Sequence, residues 1–256
     1  MRVRLDRSTA NYGNQGHTVG LQTGEDTWVR LQWRPVDKVN ETSWTGFECA
    51  SVLTNVAMPQ LFRSLRWVDD RRRIVWRADE MQLITSGRVS SSGSITTAPE
   101  LSDLWWRTLR SSLDHLSRHV TERVTMPQEH ITRRLTEVFP EETFSTTITE
   151  WATAHADLHW GNLTAPECCI LDWENWGRAP RGYDAATLWG FSLGVPEVAE
   201  RVAEEFREDL ATRSGMVSQL LFCANVLRQF AKRGTVLPFT DGVRAAAPAL
   251  LAQLRD

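Results

Sequence analysis

The sequence predicts an α+β fold with a small antiparallel β lobe at the N-terminus and a larger, mainly helical lobe at the C-terminus. Three observations predict it. Short apolar segments alternate with polar turns up to about residue 84. A Ser/Thr/Gly-rich segment follows at 85–98, and from Pro99 onward apolar residues recur at helical spacing. We expect a β-rich lobe over 1–84, a linker or mobile loop over 85–98, and a helical lobe over 99–256.

Composition limits the function classes. The 256 residues are 41% hydrophobic and 24% charged, as in ordinary globular proteins. No apolar run approaches the ~18 residues of a membrane span, and residues 1–13 do not resemble a signal peptide, so we expect a cytoplasmic protein without a membrane partner. The net charge of −3 argues against a dedicated nucleic-acid binder. The sequence does not predict the oligomeric state.

The N-terminal lobe contains the pattern of a small antiparallel sheet. Gly24 to Asp26 and Asp69-Asp70 read as the turns between strands. One helix is expected to interrupt the sheet near residues 44–56, with an inner face formed by Phe47, Ala50, Val52 and Leu53. The strands are expected at residues 18–21, 27–32, 61–68 and 73–81.

The C-terminal lobe contains helical spacing broken by one β-hairpin. Pro99 is tolerated in a first helical turn, and the leucines that follow it keep helical spacing up to Leu116. Further helices are expected at residues 128–138, 196–212 and 216–233. The hairpin is expected at residues 163–164 and 168–171, with Ala165 to Glu167 between its arms.

Polar residues with catalytic potential are concentrated around this hairpin, in three ordered blocks. Residues 155–163 read His-Ala-Asp-Leu-His-Trp-Gly-Asn-Leu, residues 170–174 read Ile-Leu-Asp-Trp-Glu, and residues 183–186 read Tyr-Asp-Ala-Ala. They resemble the aminoglycoside phosphotransferase-like branch of the kinase superfamily, whose motifs are His-Gly-Asp-Leu-His-x-Gly-Asn, Ile-Asp-Trp-Glu and Tyr-Asp-x-Ala. The resemblance implies a two-lobed protein-kinase-like fold. It also implies an O-phosphotransferase that uses ATP (or GTP) and Mg²⁺ on a hydroxyl of a small molecule.

Phosphoryl transfer needs a carboxylate beside the attacking hydroxyl and metal ions on the phosphates, which gives these residues their expected roles. Asp157 is the expected catalytic base. Asn162 and Asp172 offer the oxygen ligands that Mg²⁺ prefers. Glu174 lies on the same face as Asp172 if the strand continues, where it could assist the metal or hold water.

The resemblance also assigns supporting residues and exposes two departures. His155 and Asp184 are implied to be framework residues that bond the loop backbone, and His159 is a further supporting residue. Ala156 replaces the usual glycine and Trp160 the usual proline. Neither departure removes a reactive group.

The nucleotide clamp departs further from the kinase pattern. Kinases use a strand lysine held by a helix glutamate, but the only lysines here are Lys38 and Lys232. Arg30 is the candidate replacement with Glu48 as its helical partner, and Arg34 is the fallback. The adenine is expected against the strand at 78–83, which contains Met81.

The substrate is less well defined. The resemblance implies aminoglycosides, other antibiotics, or metabolites such as choline or homoserine. Four glutamates at three- and four-residue spacing would favour a cationic substrate if their helical face lines the cleft, whereas a solvated face would say nothing about it. These glutamates are Glu197, Glu200, Glu204 and Glu208.

Three other classes of protein are weighed against the small-molecule kinase. A zinc hydrolase could use His155, Asp157 and His159 as ligands, although no further zinc-binding motif is recognisable. A protein kinase would share the chemistry of Asp157, but Tyr183 follows Asp172 by only eleven positions, too few for a peptide-docking segment. A catalytically impaired binding protein would keep the fold, and the missing strand lysine is the feature that favours it.

Overall fold

The computed structural model describes residues 4–13, 16–24 and 26–255. The chain divides into two compact units. The first comprises Met1–Val52 and Met58–Ser86, and the second comprises Leu53–Ala57 and Gly87–Asp256. No helix in the described residues is long and apolar enough to cross a membrane.

The first unit contains a five-stranded antiparallel sheet with the strand order β1-β2-β3-β5-β4. Its strands are β1 Leu5–Gly13, β2 Thr18–Thr23, β3 Thr27–Pro35, β4 Leu61–Asp69 and β5 Ile74–Gln82. β3 pairs along its full length with β5, which brings Arg30 opposite Asp79. Val29 and Ala78 bury their side chains on one face of the sheet, and Val75 is buried on the other, because β5 is buried on both faces from Arg77 to Met81. The four expected strands are present, and β1 was not expected.

The helix expected at residues 44–56 is wrong in extent. The chain forms two short helices instead, α1 (Glu41–Trp44) and α2 (Gly46–Ala50). Asn40 starts α1, because its side chain accepts hydrogen bonds from the backbone N–H groups of Thr42 and Ser43. Beyond Ser51 the helix cannot continue, and Asn55 adopts a positive φ of 58°.

The second unit contains the remaining helices. Ser102 caps the first of them by accepting from the N–H of Trp105, which sets its start later than the leucine spacing alone predicts. The helices are α3 Asp103–Arg118, α4 Gln128–Val138, α5 Tyr183–Ser192, α6 Pro196–Glu205, α7 Arg207–Leu210, α8 Arg213–Arg233 and α9 Thr240–Arg255. The expected helix at 128–138 matches α4 to the residue.

Two small sheets complete this unit. β6 (Gly87–Arg88) pairs with β8 (Thr164–Ala165), and β7 (Trp151–Ala154) pairs with β9 (Gly177–Pro180). Leu163 and Ile170 form a bridge across the expected hairpin. These pairings matter for function because β7 leads directly into residue 155 and the hairpin carries residues 162 and 172.

Candidate active site

Asp184 anchors the entrance of the loop at residues 155–162, here called the catalytic loop. Asp184 lies in the first turn of α5 and is 6% exposed. Its two carboxylate oxygens accept from the backbone N–H of His155 at 2.7 Å and of Ala156 at 2.8 Å. Burial raises the pKa of Asp184 to about 6, against the lowering effect of the two N–H donors. The framework role implied for Asp184 matches these contacts.

We expect Asp184→Asn to destabilise the protein by about 1–3 kcal/mol, because an amide has one oxygen and leaves a buried backbone N–H without a charged acceptor. Asp209→Asn is the control. Asp209 forms a half-exposed ion pair with Arg181, and such pairs contribute about 0–1 kcal/mol. Urea unfolding measures both, and equal losses of stability would contradict an anchoring role for Asp184.

The two histidines of the catalytic loop are held in different ways. His155 is fully buried, its Nε2 lies 2.9 Å from the carbonyl oxygen of Leu171, and its ring packs edge-on against Trp173. Burial lowers the pKa of His155 to about 4, so the ring is neutral at pH 7. His159 accepts from the N–H of Gly161 through Nδ1, and its Nε2 lies 3.9 Å from Asp157 Oδ1. Burial also lowers the pKa of His159.

Asp157, Asn162 and Asp172 lie at the reactive end of the hairpin. The amide nitrogen of Asn162 donates to the backbone oxygen of Asp157 at 3.0 Å and lies 3.4 Å from its Oδ2. The N–H of Leu171 donates to the carbonyl of Asn162 at 2.8 Å, which brings the start of Asp172 beside Asn162. The hairpin therefore joins two candidate metal ligands across one backbone hydrogen bond.

Asp157 has the electrostatics of a proton acceptor at neutral pH. Burial and, after it, the negative charge of Asp172 raise the pKa of its carboxyl to about 6, against the lowering effect of the Asn162 hydrogen bond. Its side chain is still 47% exposed, so a substrate can reach it. A general base works best with a pKa near the operating pH.

The strand does not continue through Glu174, so the condition for placing Glu174 beside Asp172 is not met. Asp172 adopts a positive φ of 65°, and the chain turns at residues 173–174. The alternation that would place Glu174 on the same face as Asp172 therefore does not apply. The backbone oxygen of Glu174 accepts from Arg123 at 3.1 Å. A metal or water role for the Glu174 side chain stays a prediction.

The Ser-rich segment after residue 85 contacts the catalytic loop. Backbone N–H groups of Val89 and Ser90 donate to the carbonyls of Leu163 and Trp160, and Trp160 N–H donates to the carbonyl of Gly93. Arg88 donates to the carbonyl of Gly161 at 2.7 Å. The low-complexity composition of this segment predicts a linker, and nothing in that composition predicts these hydrogen bonds to the catalytic loop. The expected mobility of 85–98 stays a prediction.

The tryptophan at the usual proline position is a packing residue. Trp160 is 0% exposed, stacks on Trp105 at 6.2 Å and meets Trp106 edge-on at 6.2 Å. Its indole N–H donates to Ser192 at 3.0 Å. Because its large ring is buried and its N–H is hydrogen-bonded, Trp160 holds the catalytic loop against α3 and α5.

The oxygen donors of the catalytic loop fit a hard divalent cation. The amide oxygen of Asn162 accepts no hydrogen bond in the described residues, and Asp172 supplies a carboxylate. The described residues contain no group of three or more His, Cys, Asp or Glu side chains that could hold a metal. The zinc-hydrolase alternative therefore finds no ligand cluster among the described residues.

In the first unit the candidate clamp residues belong to one charge network, but among the described residues the exposed Glu48 pairs with Arg77 and not, as expected, with Arg30. Arg30 Nη2 lies 3.7 Å from Asp79 Oδ2, and its guanidinium lies 6.0 Å from the centroid of Phe47. Glu48 pairs with Arg77 at 3.4 Å, and Arg77 Nε also donates to both oxygens of Asp79. The sequence analysis did not identify Asp79 and Arg77 as partners of the clamp residues, although the pairing of β3 with β5 places both opposite β3.

The fallback clamp residue and the expected adenine neighbour lie in the same sheet. Arg34 donates to the carbonyl of Trp33 at 2.8 Å and lies 5.9 Å from the Trp44 ring centroid. Met81 lies near the end of β5 and is 9% exposed. Contact of either with a nucleotide stays a prediction.

A cavity of about 240 Å³ opens beside Asp157 in the second unit. The four-glutamate stripe does not border it. All four side chains are exposed, and Glu204 and Glu208 instead line a separate, larger cavity with Arg107 and Arg118. A preference of the stripe for a cationic substrate stays a prediction.

Comparisons with known proteins find similarity in structure only. No protein-family model and no curated protein matches the chain. Amicoumacin kinase hAmiN, solved with AMP-PNP, Ca²⁺ and Ami, is 12% identical with a TM-score of 0.56, covering 99% of this chain and 90% of that one. Aminoglycoside phosphotransferase APH(4)-Ia is 8% identical with a TM-score of 0.59, covering 98% and 93%.

A third similar structure is the GDP complex of aminoglycoside 2'-phosphotransferase-IIIa, 13% identical with a TM-score of 0.53, covering 99% and 92%. At such identities the similarity concerns the fold alone. The chain has the two-lobed α+β fold of aminoglycoside phosphotransferase-like kinases, which confirms the fold that the three motifs imply.

Proposed function

We propose that the protein is an ATP-dependent O-phosphotransferase acting on a hydroxyl of a small molecule, with an antibiotic or related natural product as acceptor. The observation that carries the proposal is the position of Asp157. Asp157 borders a cavity, and the pKa of its carboxyl is raised to about 6. It lies in one loop with Asn162, and the hairpin brings the start of Asp172 beside Asn162. This is the arrangement that phosphoryl transfer needs.

In the proposed reaction Asp157 accepts the proton of the acceptor hydroxyl. The oxygen of that hydroxyl forms a bond to the γ-phosphorus of ATP, while the bond from this phosphorus to the bridging oxygen of ADP breaks. Asn162 orients Asp157 through its amide N–H, and Asp184 fixes the loop through His155 and Ala156. Asn162 and Asp172 would hold Mg²⁺, which supplies neutralisation of the phosphate charge.

ATP is the preferred donor in this proposal, and GTP is the alternative. AMP-PNP occupies the similar amicoumacin kinase, whereas GDP occupies the similar aminoglycoside 2'-phosphotransferase-IIIa. Arg30, Glu48 and Met81 are the proposed nucleotide-binding residues. We assign Arg30 the role of the missing strand lysine, with Asp79 as a holding partner.

Mass spectrometry of acceptors tests the proposal. The chain is incubated with ATP and Mg²⁺ and with a set of hydroxyl-bearing antibiotics, choline and homoserine. We expect one acceptor class to gain a single phosphoryl group. Transfer to choline or homoserine alone would favour a metabolite kinase. Nucleotide binding without any transfer would favour a catalytically impaired binding protein and would contradict the proposal.

Replacing Arg30 with alanine is expected to raise the KM for ATP by about 10- to 100-fold, because a charge-assisted bond to phosphate contributes about 1.5–3 kcal/mol. Arg30→Lys should recover part of the loss, since an ammonium group restores electrostatic attraction to the phosphates without the two parallel N–H donors of a guanidinium. Arg34→Ala is the matched control on the same strand, because Arg34 already donates to the Trp33 carbonyl. A silent Arg30→Ala with an affected Arg34→Ala would reverse the assignment.

A further inference from the structure

The residues that line the 240 Å³ cavity indicate which class of acceptor could bind there. The cavity lies between α5, α8 and the segment that leads into α9. Asp157 and Ala156 are among its lining residues, so a molecule held there can present a hydroxyl to the proposed base. The chemistry of the remaining walls therefore selects the molecule.

The cavity walls have little charge. Among the described residues that line it, Asp157 and Tyr183 are the only ionisable side chains. Burial raises the pKa of Tyr183 above its ordinary value, so the phenol stays neutral. Asp157 is the one carboxylate, and it serves the reacting hydroxyl. A polycation in this cavity would place ammonium groups where no anion pairs with them, which is costly.

Aromatic rings form one side of the cavity. Phe191 meets Phe222 at 5.1 Å and Phe239 at 5.3 Å, both edge to face. Gly190 permits this packing, because a Cβ there would lie 2.3 Å from the Phe222 ring. Such a wall favours a flat apolar ring, since burial of apolar area against it needs no polar partner.

Two amides provide the polar contacts. Asn225 and Gln229 lie four residues apart on α8, on the face that also carries Phe222. Neither amide makes a hydrogen bond within the described part of the chain. Thr187 and Ser218, by contrast, already donate to backbone oxygens of their own helices. The two amides can both donate and accept, which suits hydroxyl and carbonyl oxygens.

We infer that this cavity binds an uncharged alcohol that combines an apolar ring with hydrogen-bonding oxygen atoms, and that it discriminates against polycations. Phe191, Phe222 and Phe239 hold the ring, while Asn225 and Gln229 bind the oxygens. The inference rests on the proposed function for the role of Asp157. It names the acceptor class for that same site.

Ligand-observed saturation-transfer NMR on the full chain tests the binding preference without requiring turnover. The probes are phenyl β-D-glucopyranoside and its 2,6-diamino-2,6-dideoxy derivative, which share a skeleton and differ by two ammonium groups. We expect the uncharged glucoside to bind at least 10-fold more tightly. Equal or tighter binding of the diamino derivative, or no binding of either probe, would overturn the inference.

Substitutions that add a negative charge with little change of shape test which residues cause the preference for the uncharged probe. Asn225→Asp and Gln229→Glu each add a carboxylate to the cavity wall and should reduce or reverse the 10-fold preference. Gln253→Glu is the matched control, because Gln253 lines a different cavity on α9. An equal effect of Gln253→Glu would show that the preference arises elsewhere. Phe222→Ala should weaken glucoside binding, and unchanged binding would remove the aromatic wall from the site.

The proposed function and this inference fail in different experiments. If no acceptor gains phosphate while the glucoside still binds preferentially, the phosphotransferase proposal fails and the binding class stands. If an acceptor gains phosphate but the diamino probe binds more tightly, the enzyme stands and the inferred acceptor class is wrong.

Discussion

Replacing Asp157 with asparagine is expected to reduce phosphoryl transfer by about 10²- to 10⁴-fold, as loss of a positioned general base does. The amide keeps the size of the side chain but cannot accept the proton of the acceptor hydroxyl. Nucleotide binding and the urea midpoint should stay near wild type. Asp114→Asn, an exposed change on α3, is the control for a lost carboxylate. Unchanged turnover would remove Asp157 from the mechanism.

The same residue sets an expected pH dependence. Because burial and Asp172 raise the pKa of Asp157 to about 6, the free enzyme loses its base as the pH falls through 6. kcat/KM for the acceptor should be level above that pH and decline about tenfold per pH unit below it. The decline should disappear in Asp157→Asn, which separates the titration of Asp157 from acid unfolding.

The three motifs made the position of the catalytic loop predictable from the sequence. The resemblance selects Asp157, Asn162 and Asp172, whose roles stay predictions, and the bridge between Leu163 and Ile170 lies where the hairpin was expected. Helix α4 was also predictable, because Ile131 and Leu135 are one turn apart and both fully buried. These features depend on neighbours in the chain.

Features that depend on distant partners were not predictable. Strand β7 is four residues long and pairs with β9, which ends at Pro180. Neither segment alternates strongly enough to show a strand. Helix α9 contains Pro248, a residue that normally argues against a helix interior, yet Leu250 and Leu254 are buried. Packing against the rest of the second unit therefore stabilises these elements, whereas their local sequence preference does not.

The acidic stripe illustrates a separate limit. Val198 and Val202 are buried while the glutamates of the stripe are exposed, which is the division that helical spacing requires. The spacing does not say which cavity a polar face borders, since that depends on the packing of α6 against other helices. The cavity beside Asp157, which we propose for the substrate, is instead bordered by α8, where Asn225 and Gln229 lie among apolar neighbours and form no charged pattern in the sequence.

Replacing Asp172 with alanine is expected to abolish the Mg²⁺-dependent tightening of nucleotide binding and to reduce turnover by about 10³-fold, because several kcal/mol of charge neutralisation at the phosphates is lost. Calorimetry with AMP-PNP, with and without Mg²⁺, measures the first effect. Asp103→Ala, a 78%-exposed carboxylate on α3, is the matched control and should leave the Mg²⁺ effect intact.

The free protein offers a second readout for Asp172 that needs neither metal nor nucleotide. The negative charge of Asp172 is one cause of the raised pKa of Asp157, so Asp172→Ala should lower that pKa below about 6. A ¹³C NMR titration of the aspartate carboxyl groups would show the shift. If the Asp157 pKa moves but Mg²⁺ still tightens nucleotide binding, Asp172 is coupled to the base and another residue holds the metal. If neither changes, Asp172 has no part in the site.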